Sequence, residues 1–98
     1  MYKTLLFLKS SNKDEVLEYF GNALYDQIQA INGVSSSFGA VDNSILFPEN
    51  YQKVIEITSE SKESMEHAMM SLEGKKFSKA LQNFHTYVTL LSFEYEQK

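Results

Sequence analysis

The sequence contains no cysteine and no tryptophan, and only one proline and four glycines among its 98 residues. Without cysteine the chain cannot form a disulfide, a thiolate nucleophile or a cysteine-ligated zinc or iron–sulfur site. Basic residues are also few, nine against thirteen acidic ones, which gives a net charge of -4. A nucleic-acid partner is not expected, because such proteins carry a basic surface that neutralises phosphates. Neither a glycine-rich phosphate loop nor a nucleophile elbow is present.

Apolar and aromatic side chains are plentiful by contrast, at 43% and 13% of the residues. They predict a single folded domain over residues 1–98 with a core of limited size, and small domains of this kind are often completed by a second copy. The segment Met1–Lys9 is too short and too strand-like for a signal peptide. We therefore expect a cytoplasmic protein without a membrane partner.

Alternating and helical periodicities predict four strands and two helical regions. The strands are expected at residues 2–9, 34–41, 51–58 and 87–96, with a hairpin loop and an apolar tip over residues 41–50. The first helix should begin at a Ser11 or Asn12 cap and end at Gly33. Its apolar stripe consists of Leu17, Phe20, Leu24, Ile28 and Ile31. The second helix should be capped by Ser59 or Ser61 and bent or broken near Gly74.

The order βαββαβ predicts an α+β, ferredoxin-like fold, in which two helices cover one face of a four-stranded antiparallel sheet. The first and last strands are apolar on both sides: Leu5 and Phe7 oppose Leu6 and Leu8, and Leu90 opposes Leu91. Because the helices can bury only one face, the other is expected to form a twofold homodimer, with two sheets packed into an α/β barrel.

The stretch from Ser71 to Phe84 resembles the second helix of the EthD (ethyl tert-butyl ether degradation) family, a branch of the dimeric α/β-barrel superfamily. The matching positions are Ser71, Glu73, Gly74, Asn83 and Phe84. In the first helix the family's aromatic pair corresponds to Tyr19 and Phe20, while Leu24 occupies the position of its histidine and Ala80 that of an acid near the Asn-Phe pair.

The resemblance implies a dimer with interior pockets for hydrophobic small molecules. Some members of the superfamily are cofactor-independent monooxygenases, cyclases or isomerases, and others use haem. The oxygenase and haem-degrading branches commonly use a tryptophan and a helix histidine. This chain has no tryptophan, so we discount those branches and expect no cofactor.

Three residues are candidates for catalysis: His85, Tyr87 and Glu56. His85 precedes the last strand and would act as an acid or base near neutral pH, although an exposed loop histidine is the commoner case. Glu56 would have a raised pKa on a desolvated apolar wall and serve as a base. The alternative is that Glu56 pairs with one of three lysines, namely Lys3, Lys9 or Lys53.

The candidate ligand-binding residues are Asn83, Phe38, Val54 and Thr58. His67 with Glu63 or Glu66 would be a poor metal site, since a histidine beside a glutamate is ordinary on a helix surface, and no metal is expected. The sequence favours a homodimeric barrel that binds a small hydrophobic molecule between sheet and helices. A cofactor-independent enzyme of the same fold is the alternative, and a barrel filled by its own side chains is the third.

Overall fold

The computed structural model describes residues 1–10, 13–42 and 51–96. Its four strands are β1 (Tyr2–Lys9), β2 (Ser35–Ala40), β3 (Tyr51–Ser59) and β4 (Val88–Glu94). They form one antiparallel sheet in the order β2-β3-β1-β4. This confirms the predicted fold class, and it makes β2 an edge strand, as its small side chains had indicated.

Two helical regions connect these strands. The first is continuous and consists of α1 (Asp14–Glu18), a π-helical turn (Tyr19–Leu24) and α2 (Tyr25–Gln29). The second comprises α3 (Lys62–Met69) and α4 (Leu72–Asn83), followed by a 3₁₀ turn, His85–Tyr87. The second region is therefore broken as predicted, but the break lies at Met70 and Ser71 rather than at Gly74.

Several element boundaries differ from the sequence-based prediction. The first helix begins at Asp14 after Lys13, which makes no side-chain cap bond; Ser11 and Asn12 lie outside the described residues. Tyr87 belongs to the 3₁₀ turn, so the last strand starts one residue later. The first helical region ends at Gln29, with Ala30 as its C-cap, rather than at Gly33. Gly33 lies in the turn before β2 and has a φ of 90°, a conformation that glycine adopts at no steric cost. The predicted apolar tip of the hairpin lies outside the described residues.

The π-helical turn follows from the spacing of buried residues in the first helix. Val16, Phe20, Leu24 and Ile28 are all buried and follow one another at uniform four-residue steps. On an α-helix each such step drifts by about 40° from the previous position, since 3.6 residues make a turn. A π turn bonds residue i to i+5 and absorbs an extra residue. The turn thus keeps this stripe facing the sheet.

Alternation along the central strands separates two faces of the sheet. On β1 the side chains of Thr4, Leu6 and Leu8 are buried beneath the helices, and on β3 those of Ile55 and Ile57 join them. Leu6, Leu8, Ile55 and Ile57 are fully inaccessible to solvent. The space between sheet and helices is accordingly occupied by the chain's own side chains at these positions.

The opposite side of the sheet, which we call the open face, is covered by none of the helices in residues 1–10, 13–42 and 51–96. The register of the strands assigns it Lys3, Leu5, Phe7, Lys9, Ser35, Ser37, Gly39, Tyr51, Val54, Glu56, Thr58, Thr89, Leu91 and Phe93. None of these residues is buried. The molecule measures 36 × 36 × 18 Å, and the short dimension corresponds to one sheet layer and one helix layer. No helix among the described residues is long and apolar enough to cross a membrane.

Candidate functional site

The sheet separates the predicted site residues into groups. Val54, Glu56 and Thr58 lie together on the open face, as the period of β3 required. Phe38 lies on the other side of the sheet, because its partner in the register is the buried Ile55. The remaining three, Asn83, His85 and Tyr87, lie at and just after the carboxyl end of α4. The structure therefore brings Glu56 near neither His85 nor Tyr87.

Glu56 is paired with Lys3 across the two central strands. The Lys3 ammonium donates to the Glu56 carboxylate, and Thr58 Oγ1 donates to the same oxygen at 3.3 Å. Lys3 Nζ also lies 5.8 Å from the centroid of the Tyr95 ring, within the range of a cation–π contact. Of the alternatives left open by the sequence, pairing with Lys3 is the one that the structure contains.

This pairing reverses the electrostatic prediction for Glu56. The hydrogen bond from Lys3 lowers the pKa of the Glu56 carboxyl, with a smaller opposing contribution from desolvation. The same hydrogen bond raises the pKa of Lys3. A carboxylate with a lowered pKa is a weak base, because it holds a proton poorly near neutral pH. Glu56 is thus better suited to an electrostatic role than to proton abstraction.

On the helix side, six rings form a continuous group that we call the aromatic cluster. Its members are Tyr19, Phe20, Tyr25, Phe38, Phe84 and Tyr87. Phe84 is central, with ring centroids 4.9 Å from Tyr19 and 5.0 Å from Tyr87. Phe38 contacts Phe20 at 5.9 Å and Tyr25 at 5.4 Å. These separations are typical of favourable aromatic pairs.

The cluster has a buried base and an accessible rim. Phe20 and Phe84 are buried, whereas Phe38 is 40% exposed and Tyr19, Tyr25 and Tyr87 are half-buried. The π-helical turn supplies Tyr19 and Phe20, and Tyr25 follows directly. Lys53 Nζ lies 6.0 Å from the Phe38 ring centroid. Accessible aromatic surface beside a cation and phenol hydroxyls can hold a planar apolar molecule and orient it.

His85 is exposed at the start of the 3₁₀ turn, beside this cluster in sequence. Its Nδ1 lies 2.8 Å from the Gln82 carbonyl oxygen. Because a carbonyl oxygen can only accept, Nδ1 carries the proton of this bond, and Nε2 of the neutral ring remains an acceptor. The geometry leaves a basic nitrogen available to solvent or to a ligand.

A shallow groove of about 660 Å³ lies where the end of the first helix meets the start of α3. Glu60, Glu63 and His67 line it together with Asn32 and Gly33. His67 and Glu63 formed part of the metal alternative weighed from the sequence. Within the described residues, no group of three or more His, Cys, Asp or Glu side chains is arranged to hold a metal ion.

The sequence motif at Ser71–Gly74 has a structural role. Ser71 caps α4: its Oγ accepts from the Gly74 N–H at 3.1 Å and donates to the Ala68 carbonyl at 2.6 Å. Gly74 packs on the end of α3, where a Cβ would lie 2.3 Å from the Ala68 carbonyl oxygen. These residues join two helices at a close approach. Of the rest of the motif, Phe84 is buried in the aromatic cluster and Asn83 is exposed.

Sequence reasoning missed Tyr25 and Tyr51. Tyr25 does not belong to the apolar stripe of the first helix. The only sequence signal for the π-helical turn that precedes Tyr25 is the uniform four-residue spacing of the apolar residues Val16, Phe20, Leu24 and Ile28. Tyr51 contacts the Phe7 ring at 5.3 Å and shares a hydrogen bond with Thr89, 3.2 Å between oxygens. A register shift next to Lys9 places it there, and such an irregularity has no signature in the period of the strand.

Comparison with solved structures identifies the architecture. An EthD family protein from Bacillus halodurans C-125 superimposes with a TM-score of 0.82 over 98% of this chain and 99% of that one, at 20% identity. The chain has the fold of an EthD family protein. The EthD-like fold is shared with a dimeric ferredoxin-like protein of unknown function from Thermobifida fusca YX, at a TM-score of 0.66, 12% identity and coverages of 96% and 90%.

A third protein with this architecture, from Deinococcus radiodurans, is named as an antibiotic biosynthesis monooxygenase. It superimposes on the EthD-like fold of this chain with a TM-score of 0.66 and 14% identity, covering 100% of this chain and 95% of that one. No protein-family model and no curated protein matches the sequence. At these identities, the comparisons establish the fold and confirm the resemblance on which the sequence analysis drew.

Proposed function

We propose that this chain forms a twofold homodimer through the open face of its sheet and that each protomer binds a small hydrophobic molecule at the aromatic cluster. The observation that carries the proposal is the open face itself, one whole side of the sheet that presents Leu5, Phe7, Leu91 and Phe93 and that none of the described helices covers. The ligand would bind at the accessible rim of the aromatic cluster, on the opposite side of the sheet from the dimer interface.

Support for the dimer comes from the size and composition of the open face. Four strands about 4.8 Å apart and about seven residues long give it an area on the order of 400 Å². Leu91 is 53% exposed on it, beside the half-buried Leu5 and Phe93. A sheet face that leaves neighbouring leucine and phenylalanine side chains accessible is typical of an interface. The protein of the same fold from Thermobifida fusca is described as dimeric.

Support for a hydrophobic ligand comes from the arrangement of the cluster. Phe38 and the three tyrosines of the cluster present accessible aromatic surface on the helix side. Rings with buried partners are held in place and lose little entropy on binding. The π-helical turn below them is a feature that recurs at functional sites. Val54 and Thr58, also predicted to bind ligand, belong in this proposal to the dimer interface.

The dimer is tested by a pair of neighbouring substitutions on β4. Leu91→Arg places a charge on the open face, and Leu90→Arg places the same charge on the opposite side of the sheet, where Leu90 is 49% exposed. We expect Leu91→Arg to sediment as one chain and Leu90→Arg to sediment as two. Equal behaviour of the two variants would show that the open face is not the interface.

The ligand site is tested with 2-naphthol, a fluorescent aromatic probe. Phe38→Ala removes the most exposed ring of the cluster, and Leu72→Ala, at a residue 65% exposed on α4, is the matched control. We expect 2-naphthol to bind the wild-type chain and the control equally and Phe38→Ala at least tenfold more weakly. Binding that survives Phe38→Ala unchanged would remove the aromatic cluster from the proposal. Mass spectrometry after organic extraction would identify a retained natural ligand.

A cofactor-independent enzyme is the second candidate. It is favoured by the Tyr87 phenol within the cluster and the accessible Nε2 of His85 beside it. The Deinococcus protein with this architecture is named as a monooxygenase. The test is oxygen consumption with a set of hydroxylated aromatic compounds. Turnover that His85→Ala and Tyr87→Phe abolish, and the exposed control Leu72→Ala leaves unchanged, would support this function. Turnover that survives both changes would exclude His85 and Tyr87 from it.

A further inference from the structure

The open face contains one charged element at its centre. Lys3 on β1 and Glu56 on β3 lie on the two inner strands of the sheet. Lys9 and Tyr51, the other ionisable side chains on this face, lie away from its centre, where β1 ends and β3 begins. The remaining polar side chains are those of Ser35, Ser37, Thr58 and Thr89. Leu5 is the register partner of Glu56 on one side of the pair, and Phe93 is the register partner of Lys3 on the other.

The pair is held in one geometry before any partner arrives. Thr58 donates to the carboxylate oxygen that Lys3 also binds, and the Tyr95 ring lies beside the ammonium. The Lys3 side chain is 17% exposed and that of Glu56 38%. Water therefore still reaches the carboxylate in the protomer, and a layer placed over the open face would remove it.

We propose that the Lys3–Glu56 ion pair sets the register of the interface between two copies of this chain. The inference rests on the dimer proposed above and assigns its specificity to these two residues. Leucine, valine and phenylalanine side chains on a sheet can pack in several offsets of nearly equal energy, because hydrophobic contact is not directional. A desolvated ion pair is directional, because its charged groups need hydrogen-bonding partners in fixed positions. Only an offset of the two sheets that keeps the ion pair intact and places hydroxyl groups of the second copy beside it avoids burying an unsatisfied charge.

The inference is distinct from a claim that the pair strengthens the dimer. Replacing a buried ion pair by apolar side chains is often neutral or stabilising, whereas removing one partner leaves a buried charge. Variants that lack one charge and variants that lack both charges therefore distinguish a role in setting the register from a contribution to dimer affinity. Methionine suits both positions because it has an unbranched stem and fills irregular space.

The experiment compares Lys3→Met, Glu56→Met and the double variant in the full chain. Sedimentation equilibrium gives the dimer Kd, and circular dichroism checks the fold of each variant. Register is measured separately: Lys75→Cys, on the exposed side of α4, introduces the sole cysteine, and pulsed electron resonance between two spin labels gives the interprotomer distance. Lys79→Met, exposed on the same helix, is the control for loss of a positive charge.

We expect each single substitution to weaken the dimer by about 100-fold or more, since it leaves one charge buried without its partner. The double variant should dimerise within about tenfold of wild type but show two or more distances where the wild-type chain shows one. The exchanged pair, Lys3→Glu with Glu56→Lys, keeps an ion pair and should keep the single distance. It also tests the proposal if a single substitution prevents folding.

A double variant with one narrow distance identical to that of wild type would overturn the register role. Single variants that dimerise like wild type would overturn it as well. Both results would leave the dimer itself intact. A wild-type chain that stays monomeric would instead overturn the proposed function, and the inference would fall with it.

Discussion

Gly74 lies directly against the backbone of Ala68. A Cβ at Gly74 would come within 2.3 Å of the Ala68 carbonyl oxygen and 2.5 Å of the Met69 Cα. Both neighbours are backbone atoms at the end of α3, so neither can move aside by changing a rotamer. The break between the two helices of the second region thus depends on a residue three positions further along, in the first turn of α4.

The first prediction contrasts two helical glycines. Gly74→Ala should destabilise the fold by about 2 kcal/mol or more, because α3 and α4 must separate to admit the methyl group. Gly21→Ala is the matched control, since its Cβ would lie 3.5 Å from the Phe38 ring, an ordinary contact. This second change should stabilise by about 0.5–1 kcal/mol by removing a flexible residue from a helix. Urea unfolding measures both, and equal effects would contradict the packing argument.

The second prediction concerns the two hydrogen bonds of Ser71. Ser71→Ala removes both the cap of α4 and the bond to the Ala68 carbonyl, and it should cost about 1–2 kcal/mol. Ser71→Asp keeps a side-chain acceptor for the Gly74 N–H but has no hydroxyl to donate. It should therefore recover part of the loss in thermal unfolding. Full recovery of thermal stability would mean that the hydrogen bond to the Ala68 carbonyl contributes nothing. No recovery would mean that the cap on the Gly74 N–H contributes nothing.

The third prediction is the pH dependence of the Lys3–Glu56 coupling. The folded chain lowers the pKa of Glu56 below its ordinary value of 4.5, so the stabilisation is complete above that pH and is lost as pH falls through the folded pKa. For Lys3 the pKa is raised above 10.5, and its contribution is lost only as pH rises through the raised value.

A double-mutant cycle with methionine at both positions isolates this coupling free energy. Urea unfolding between about pH 3 and pH 7, at one fixed protein concentration, should show it undiminished from pH 7 to about pH 5 and declining below that. A coupling that stays constant or grows in acid would show that the carboxylate charge of Glu56 is not its source.

The fold was predictable because its strongest signals are local. The alternation of β3 placed Glu56 with Val54 and Thr58 on one face, and the structure keeps them there. Ser61 caps α3 as its side-chain chemistry requires, since its side chain accepts from the Ser64 N–H. The dual apolar character of β1 and β4 indicated an uncovered face, although it did not say which residues would form it.

The site was less predictable because it depends on which elements meet. Phe38 was grouped with Val54, but the register pairs it with Ile55 and turns it towards the helices. The partner of Glu56 is far away in sequence, and the period of β3 alone does not choose among three lysines. The π-helical turn was also hard to predict from the sequence. It inserts one residue into the helix and so changes which aromatic side chains meet, but no residue type marks its position.

The oligomeric state of the purified wild-type chain tests the central claim most directly. Native mass spectrometry before and after organic extraction reports the number of chains and any retained small molecule in one measurement. We predict a mass of two chains, with a bound molecule that extraction removes. A mass of one chain at every concentration would contradict the proposal, because the open face would then remain exposed without the partner that the proposed function requires.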